Sequence, residues 1–289
     1  MSEVKVNDYV LGATAPLVLI AGPDVVESHS LVMETCEALV EITDTFNVPL
    51  IFKSSLTKAN RSSGSSYSGP GLEAGLAALA DVKEKFGVPV TTDIHETSEV
   101  EPVSQVVDLL QIPAFLCRQT PLALAAAASG CAVNIKKGQF MKPAGMHALV
   151  RKITDAGNHN VMVTERGTTF GYGDLVVDMR GLAEMSRLGT PVIFDVSHSV
   201  QLPGAAGESS GGERKYAAVL ARAAVGAGVA GLFCEVHPDP ATALCDADAQ
   251  LTPQQMRIVL EHAVTLDAAR RKVSGDEARA LITPGEEPA

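Results

Sequence analysis

The chain has 289 residues, of which 46% are hydrophobic and 20% are charged, so it can bury one large core and is not a disordered polypeptide. The formal net charge of −11 argues against a general nucleic-acid-binding protein, although a few clustered cations can still bind a small anionic ligand. No run of eighteen apolar residues is present, and the predominantly polar segment 1–8 has no apolar signal core. We therefore expect no membrane segment, no signal peptide and a cytoplasmic location.

Eight short apolar runs divide the chain, and most are continuous rather than alternating, as is typical of parallel strands buried on both faces. The runs are 17–22, 48–53, 88–93, 107–112, 131–136, 160–165, 190–195 and 229–235. Between them, apolar residues recur at helical spacing, for example over 31–46 and 216–224. Thr252 and Gln255 form a capping-box pattern before the last helix, with Pro253 at the first helical position.

The alternation of strands and helices predicts right-handed βαβ units, and eight such units predict a closed (β/α)8 TIM barrel of the α/β class. We place the barrel at 17–272, an N-terminal cap segment for the barrel floor at 1–16, and a solvated C-terminal tail at 273–289. The five cysteines are odd in number and form no CxxC pair, which argues against a disulfide framework and a zinc ribbon.

Polar and charged residues follow nearly every apolar run, and in a barrel these strand ends meet on the face where active sites lie. One group of these strand-end residues consists of cations that can bind phosphate or carboxylate. They are Lys53, Lys58, Arg61, Lys136 and Arg166. Some could instead form interior ion pairs with Asp93, Glu165 or Asp195, but these carboxylates are too few to pair with all of the cations.

A second set of strand-end residues suits a divalent metal, since one imidazole and several carboxylates are ligands that first-row ions accept. The set is Asp24, His198, Glu235 and Asp246. The alternative is a hydrogen-bonded imidazole beside acids that form ion pairs within the barrel. The Gly- and Ser-rich segment 199–213 is either a lid over the ligand or an ordinary flexible loop.

Several long motifs resemble those of the 3-deoxy-D-manno-octulosonate 8-phosphate synthase family, over roughly residues 17–270. The motifs are AGP at 21–23, FKSS at 52–55, KANRSS at 58–63, TDIHE at 92–96, QIPAFLCRQT at 111–120, NIKKGQF at 134–140, TERGTTFGYGDLVVDMR at 164–180, FDVSHSVQLPG at 194–204 and EVHPDP at 235–240. The resemblance implies a (β/α)8 barrel and a homotetramer. It also implies condensation of phosphoenolpyruvate with arabinose 5-phosphate, a step of Kdo and lipopolysaccharide biosynthesis, with no organic cofactor.

The resemblance also implies roles for individual residues. The phosphoenolpyruvate site would include Lys53, Lys58, Lys136, Gln139 and Arg166. The acceptor-phosphate site would include Asn60, Arg61 and Ser62, and Arg118 would reach the site of an adjacent protomer. Further substrate contacts would come from Ser55, Asp93 and Gln111, and catalysis would depend on Asp24, Lys53, Lys136, His198 and Asp246.

Two departures from the family pattern leave alternatives open. Asp24 stands where the metal-dependent branch has a cysteine ligand and the metal-independent branch an asparagine. We expect a metal-dependent enzyme using Mn, Fe, Zn or Mg, with the harder ions favoured by a carboxylate. On the acceptor side, Thr57 and Pro121 each replace a family aspartate, Ser65 a histidine and Ser68 an arginine. A different aldehyde acceptor is therefore the alternative.

Two other classes of protein compete with this interpretation. A Schiff-base aldolase would use Lys53 or Lys136 as its nucleophile. A non-catalytic, ligand-binding relative would be consistent with the changes at positions 24 and 57, although most of the charged strand-end residues are retained.

Overall fold

The computed structural model describes residues 3–12, 14–59, 66–171, 174–206 and 209–273. The strands in these residues are β1 (Val4–Val6), β2 (Tyr9–Leu11), β3 (Val18–Gly22), β4 (Leu50–Lys53), β5 (Val90–Asp93), β6 (Leu109–Ile112), β7 (Ala132–Lys136), β8 (Val161–Glu165), β9 (Thr168–Phe170), β10 (Asp174–Val176), β11 (Val192–Asp195), β12 (Gln201–Ala206), β13 (Ser209–Gly212) and β14 (Gly231–Glu235). The α-helices are α1 (His29–Phe46), α2 (Leu72–Phe86), α3 (Val100–Ser104), α4 (Thr120–Ala128), α5 (Met146–Thr154), α6 (Met179–Ser186), α7 (Ala217–Ala227) and α8 (Pro253–Val273).

Eight parallel strands close into a barrel in the order β3, β4, β5, β6, β7, β8, β11 and β14, and β14 pairs back onto β3. Each barrel strand is followed along the chain by one of the α-helices. The predicted (β/α)8 TIM barrel is therefore confirmed. Each predicted run contains one barrel strand, which begins one or two residues later and ends at the predicted residue.

The apolar residues form two buried clusters separated by the wall of the barrel. Along β3, Val18 and Ile20 belong to the inner cluster, while Leu19 and Ala21 belong to the outer cluster beneath the helices. Both faces of each strand are buried, which explains why the runs are continuous in sequence. Side chains of the antiparallel hairpin β1–β2 join the inner cluster, so this hairpin packs against the barrel interior. The division into cap, barrel and tail stays a prediction, and residues 274–289 lie outside the described ranges.

The capping box predicted for the last helix is confirmed. The backbone N–H of Gln255 donates to Oγ1 of Thr252, and the backbone N–H of Thr252 donates to Oε1 of Gln255. Pro253 is the first residue of α8, where a missing N–H costs no helical hydrogen bond. None of the described helices combines the length and the apolarity needed to cross a membrane.

Two antiparallel hairpins follow barrel strands and were not predicted. The hairpin β9–β10 follows β8, and the hairpin β12–β13 follows β11. The second hairpin occupies most of the segment 199–213, which the sequence predicted to be a lid or a flexible loop, and residues 207–208 lie outside the described ranges. Both hairpins begin close to residues at the strand ends, so their conformation determines the surroundings of the site.

Candidate active site

The carboxyl ends of the barrel strands surround a cavity of about 360 Å³. Most of the predicted site residues line it, although they are far apart in sequence. The predicted residues in its lining are Asp24, Lys53, Ser55, Lys58, Asp93, Lys136, Gln139, Arg166, His198 and Glu235. Thr57 also lies in the lining, so one of the departures from the family pattern faces the same space.

The remaining predicted residues have other positions. Gln111 is buried and donates from Nε2 to Oδ1 of Asp93, 2.6 Å away, and Asp246 is buried beside Lys58. Arg118 is exposed and lies outside the lining of the cavity, so its predicted role toward a neighbouring protomer stays a prediction. Asn60, Arg61 and Ser62 lie outside the described residues.

Gly22 determines how closely the ends of β3 and β4 approach each other. A Cβ atom at this position would collide with the carbonyl oxygen of Lys53. The absence of a side chain therefore allows Asp24, two residues further on, to lie beside β4. The ammonium group of Lys53 donates to the carbonyl oxygen of Asp24 over 2.7 Å, which fixes the two strand ends together.

Interior ion pairs, the alternative for the strand-end cations, form at all three lysines but not at Arg166 among the described residues. Lys53 lies 3.6 Å from carboxylate oxygens of both Asp24 and Glu235. Lys58 donates to Asp24 and lies 2.6 Å from Oδ2 of Asp246. The acids predicted as metal ligands supply these partners, in agreement with the alternative stated for them, namely ion pairs within the barrel.

Lys136, the third of these lysines, belongs to a cluster on the inner side of the barrel. Its ammonium nitrogen lies 2.7 Å from Oδ2 of Asp195 and 3.9 Å from the centre of the Phe233 ring. The same carboxylate oxygen lies 2.9 Å from Nδ1 of His198. A neutral His198 ring that donates from Nδ1 to Asp195 has its acceptor lone pair on Nε2, which lies 3.5 Å from Glu235.

Burial lowers the pKa of His198, and the neighbouring Lys136 acts in the same direction, while Asp195 opposes both. These effects favour the neutral ring. Burial disfavours the charged form of Asp195, but His198 and Lys136 outweigh burial and hold its pKa below the usual range. The cluster therefore combines an anionic Asp195 with a neutral imidazole.

Three of the four predicted metal ligands, two acids and one histidine, lie together in an acidic cluster. Atoms of His198, Glu235 and Asp246 that could ligate an ion lie within 4.8 Å of one another. Asp246 has a φ of 44°, an uncommon backbone conformation for a residue other than glycine and one found at functional sites. Asp24, the fourth predicted ligand, is outside this set, and its carboxylate accepts a hydrogen bond from Lys58.

Glu235 differs from the other acids because both of its carboxylate oxygens are buried and have no hydrogen-bond partner within the described part of the chain. Burial, followed by the nearby charge of Asp24, raises the pKa of Glu235 well above its ordinary value. For Asp24, burial acts in the same direction, but Lys58 and Lys53 outweigh it and lower the pKa. Buried polar atoms without partners are uncommon and point to a missing ligand or ion.

Arg166 is the cation of the cavity best placed to bind an anion. It is 3% exposed, its Nη2 donates to Oε1 of Gln201 over 3.2 Å, and its Nη1 has no hydrogen-bond partner among the residues described. Burial lowers its pKa, which expresses the cost of keeping the charge away from water. An anionic ligand would offset this cost and would accept from Nη1.

A chain of hydrogen bonds beneath the cavity joins five consecutive positions around the barrel. Ser55 and Gln111 both donate to the carboxylate of Asp93, each over 2.6 Å. Asn134 donates to Gln111 over 3.0 Å, and Thr164 donates to Asn134 over 2.7 Å. We call these five residues the hydrogen-bonded belt. It holds the orientation of Asp93 in the cavity lining.

The sequence analysis missed several residues of the site. Asn134 and Thr164 were hidden within apolar runs, where their polarity was the available signal. Phe233 was assigned to a strand, and nothing in the sequence indicated that its ring would contact Lys136. The thiol of Cys245 hydrogen-bonds to Asp24, and burial together with that carboxylate raises the pKa of the thiol.

Comparisons with known proteins agree with this geometry. The model of the DAHP synthetase I family matches residues 2–270. A 2-dehydro-3-deoxyphosphooctonate aldolase of Alkalilimnicola ehrlichii is 55% identical over 89% of this chain and 93% of the relative. An enzyme of the same name from Syntrophotalea carbinolica is 52% identical over 92% of this chain and 96% of the relative. Another from Stenotrophomonas maltophilia is 51% identical over 93% of this chain and 98% of the relative.

The barrel with a cation-lined cavity thus belongs to the DAHP synthetase I family, and its relatives there include the 2-dehydro-3-deoxyphosphooctonate aldolases. The resemblance stated from the sequence motifs is confirmed.

Proposed function

We propose that this chain condenses phosphoenolpyruvate with arabinose 5-phosphate and water to give 3-deoxy-D-manno-octulosonate 8-phosphate and inorganic phosphate. The observation that carries the proposal is the convergence of Lys53, Lys136 and Arg166, all at least 95% buried, on one cavity. The identity of 52% to a curated 2-dehydro-3-deoxyphosphooctonate aldolase over 92% of the chain supports the choice of reaction.

The phosphate and carboxylate of phosphoenolpyruvate are assigned to the cationic side of the cavity. Arg166 offers the unpartnered Nη1, and its planar guanidinium suits a bidentate oxyanion. Lys53 and Lys136 supply point charges that are already held in place by Asp24 and Asp195. Because these groups are fixed before the substrate binds, little reorganisation is needed when charge develops in the reaction.

In the reaction, C3 of the enolpyruvate attacks the aldehyde carbon while water adds to C2. The resulting hemiketal phosphate loses phosphate by cleavage of the C–O bond. We assign His198 to the positioning of this water, because its ring lines the cavity and Asp195 holds its Nδ1, so that Nε2 faces either the water itself or an ion that would bind the water. The charge of Lys136 beside this ring favours the neutral form. Neither Lys53 nor Lys136 is needed as a Schiff-base nucleophile.

A divalent ion fits the acidic cluster, and the orphaned oxygens of Glu235 are the observation that supports it. His198, Glu235 and Asp246 would hold the ion, which when bound would polarise the aldehyde or the attacking water. The mixed imidazole and carboxylate set suits Mn, Fe, Zn or Mg. We propose no organic cofactor.

The acceptor is assigned to the side of the cavity that Thr57 lines. A threonine in place of an aspartate removes a charged acceptor for sugar hydroxyls, a change worth roughly 1–3 kcal/mol. Pro121 is exposed near the start of α4, whereas Ser65 lies outside the described residues. The homotetramer, the role of Arg118 between protomers, the cytoplasmic location and the place in lipopolysaccharide biosynthesis stay predictions.

The test is phosphate release from phosphoenolpyruvate across a panel of aldose phosphates and free aldoses, with chelator, without chelator, and with added Mn(II). Arabinose 5-phosphate should give the highest kcat/KM. A higher value for another aldose would move the assignment to a different acceptor. The absence of phosphate release with every aldose would overturn the proposed function.

A further inference from the structure

The ammonium group of Lys58 lies between the carboxylates of Asp24 and Asp246. We call the group formed by Asp24, His198, Glu235 and Asp246 the acidic centre. The ammonium group donates to Oδ2 of Asp24 and lies 2.6 Å from Oδ2 of Asp246, with only 9% of the lysine side chain exposed. The same oxygen of Asp246 also accepts from Nε2 of Gln201 over 3.0 Å. This oxygen belongs to one of the two acids clustered with His198, and it already has two donors.

Glu235 lies on the other side of the same centre and is fully buried, yet neither of its oxygens has a hydrogen-bond partner within the described ranges. Its Oε1 lies 3.5 Å from Nε2 of His198 and 3.6 Å from Nζ of Lys53. The centre thus offers one acid, Asp246, that is shared between Lys58 and the space beside His198 and Glu235.

We infer that the ammonium group of Lys58 and a divalent cation are alternative occupants of this centre. The inference rests on the proposed function only in taking His198, Glu235 and Asp246 as the place where a divalent ion would bind.

Charge favours this exclusion. With all three acids ionised, the form in which Glu235 and Asp246 would ligate a cation, the carboxylates of Asp24, Glu235 and Asp246 face the two ammonium groups of Lys53 and Lys58. One negative charge is then uncompensated. A divalent ion added beside both lysines would reverse the sign of the centre, and like charges at short range repel strongly where water is scarce. Withdrawal of Lys58 from both Asp24 and Asp246 would leave the centre neutral with the ion in place.

Lys58 has another place to go, because it also lines the cavity. Its backbone N–H donates to the carbonyl oxygen of Ser68 over 2.8 Å, which anchors its main chain while the side chain can turn. A lysine displaced by the ion would present its charge to the substrate anions. Binding of the ion and of an anionic substrate would then be mutually favourable.

The test measures the affinity of the full-length, chelator-treated protein for Mn(II) in the absence of substrate. Binding is monitored as the decrease of the EPR signal of free Mn(II). Lys58→Met should bind Mn(II) about tenfold or more tightly than the wild type. Lys83→Met is the control, since it removes an ammonium group that pairs with Asp108 just before β6, at the opposite ends of the barrel strands, and it should change the affinity by less than about threefold. Lys58→Gln, which keeps a donor but no charge, should also tighten binding and serves if the methionine variant does not fold.

Equal or weaker binding by the Lys58 variants would overturn the inference, and so would equal tightening by Lys83→Met, which would indicate a general effect of charge. Absence of binding to all the proteins would overturn it as well. Because no substrate is present, these outcomes are separate from a failure of phosphate release, which would overturn the proposed function instead.

Discussion

The ammonium nitrogen of Lys136 lies 2.7 Å from Oδ2 of Asp195, and both side chains are at least 94% buried. His198 and Lys136 together offset the burial of Asp195, and the carboxylate oxygen that faces Lys136 also lies 2.9 Å from Nδ1 of His198. The pair therefore connects the anion-binding side of the cavity with the imidazole assigned to the attacking water.

Asp195→Ala leaves Lys136 buried without its partner. Breaking a buried pair in this way costs about 3–5 kcal/mol, so the free energy of unfolding from urea titration should fall by that amount. Glu184→Ala is the control, since it breaks the exposed pair with Arg187 and should change stability by less than about 0.5 kcal/mol. Equal effects of the two substitutions would contradict the buried ion pair.

Thr164→Val tests the hydrogen-bonded belt, because it keeps the shape of the side chain and removes the donor to Asn134. One unsatisfied buried acceptor should lower the free energy of unfolding by about 1–3 kcal/mol. Thr265→Val makes the same change on an exposed face of α8, where the hydroxyl donates to the carbonyl of Glu261. That control should retain nearly the wild-type stability. Equal free energies of unfolding for the two variants would show that the hydrogen-bonded belt does not stabilise the fold.

Phe233→Leu removes the ring beneath Lys136. A desolvated cation–π contact contributes about 0.5–2 kcal/mol, so kcat/KM for phosphoenolpyruvate should fall about 2- to 30-fold. The matched variant is Phe46→Leu, whose ring faces Arg257 on α8 and is not part of the cavity lining. Steady-state kinetics should show no comparable loss there. Unchanged kinetics in Phe233→Leu would show that the contact between this ring and Lys136 does not contribute to the use of phosphoenolpyruvate.

Acid should destabilise the fold through Asp93. Burial disfavours its charged form, but Lys53 and Lys136 outweigh burial and lower its pKa. Its contribution is therefore present above the unfolded carboxyl pKa of about 3.9 and is lost as the pH falls below that value. Glu235 acts in the opposite direction, since its pKa is raised.

Urea titrations between pH 5 and pH 2 should show a steeper loss of stability in the wild type than in Asp93→Asn, according to this linkage. Asp155→Asn, in an exposed pair with Arg151, should retain the wild-type slope. A slope that is the same in all three proteins would exclude Asp93 as a source of the acid sensitivity.

The barrel could be predicted from the sequence because burial on both faces makes each parallel strand an uninterrupted apolar run, and the runs end where polar groups meet the cavity. Because the carboxyl ends of barrel strands meet on one face, Lys53, Lys136 and Arg166 could be predicted to share one cavity. The two hairpins were missed because Thr, Gly and Ser residues in their strands have the composition of loops rather than of buried strands.

Pairing within the site could not be predicted, because it depends on the path of loops rather than on the strands. Asp246 lies in the irregular segment after β14 and reaches Lys58 across 188 positions in sequence. Asp24 was predicted as a metal ligand, yet in the structure its carboxylate accepts from Lys58. Spacing along the chain contains no information about such a choice between partners.

The most direct test of the proposed condensation is mass spectrometry of a reaction containing phosphoenolpyruvate and arabinose 5-phosphate, combined with phosphate assay of the same mixture. The account predicts a single new sugar acid phosphate, with the mass of both substrates plus water less phosphoric acid, formed in equal amount to the phosphate. Arg166→Ala should abolish both signals. Consumption of phosphoenolpyruvate without this product, or no consumption at all by the folded wild-type protein, would contradict it.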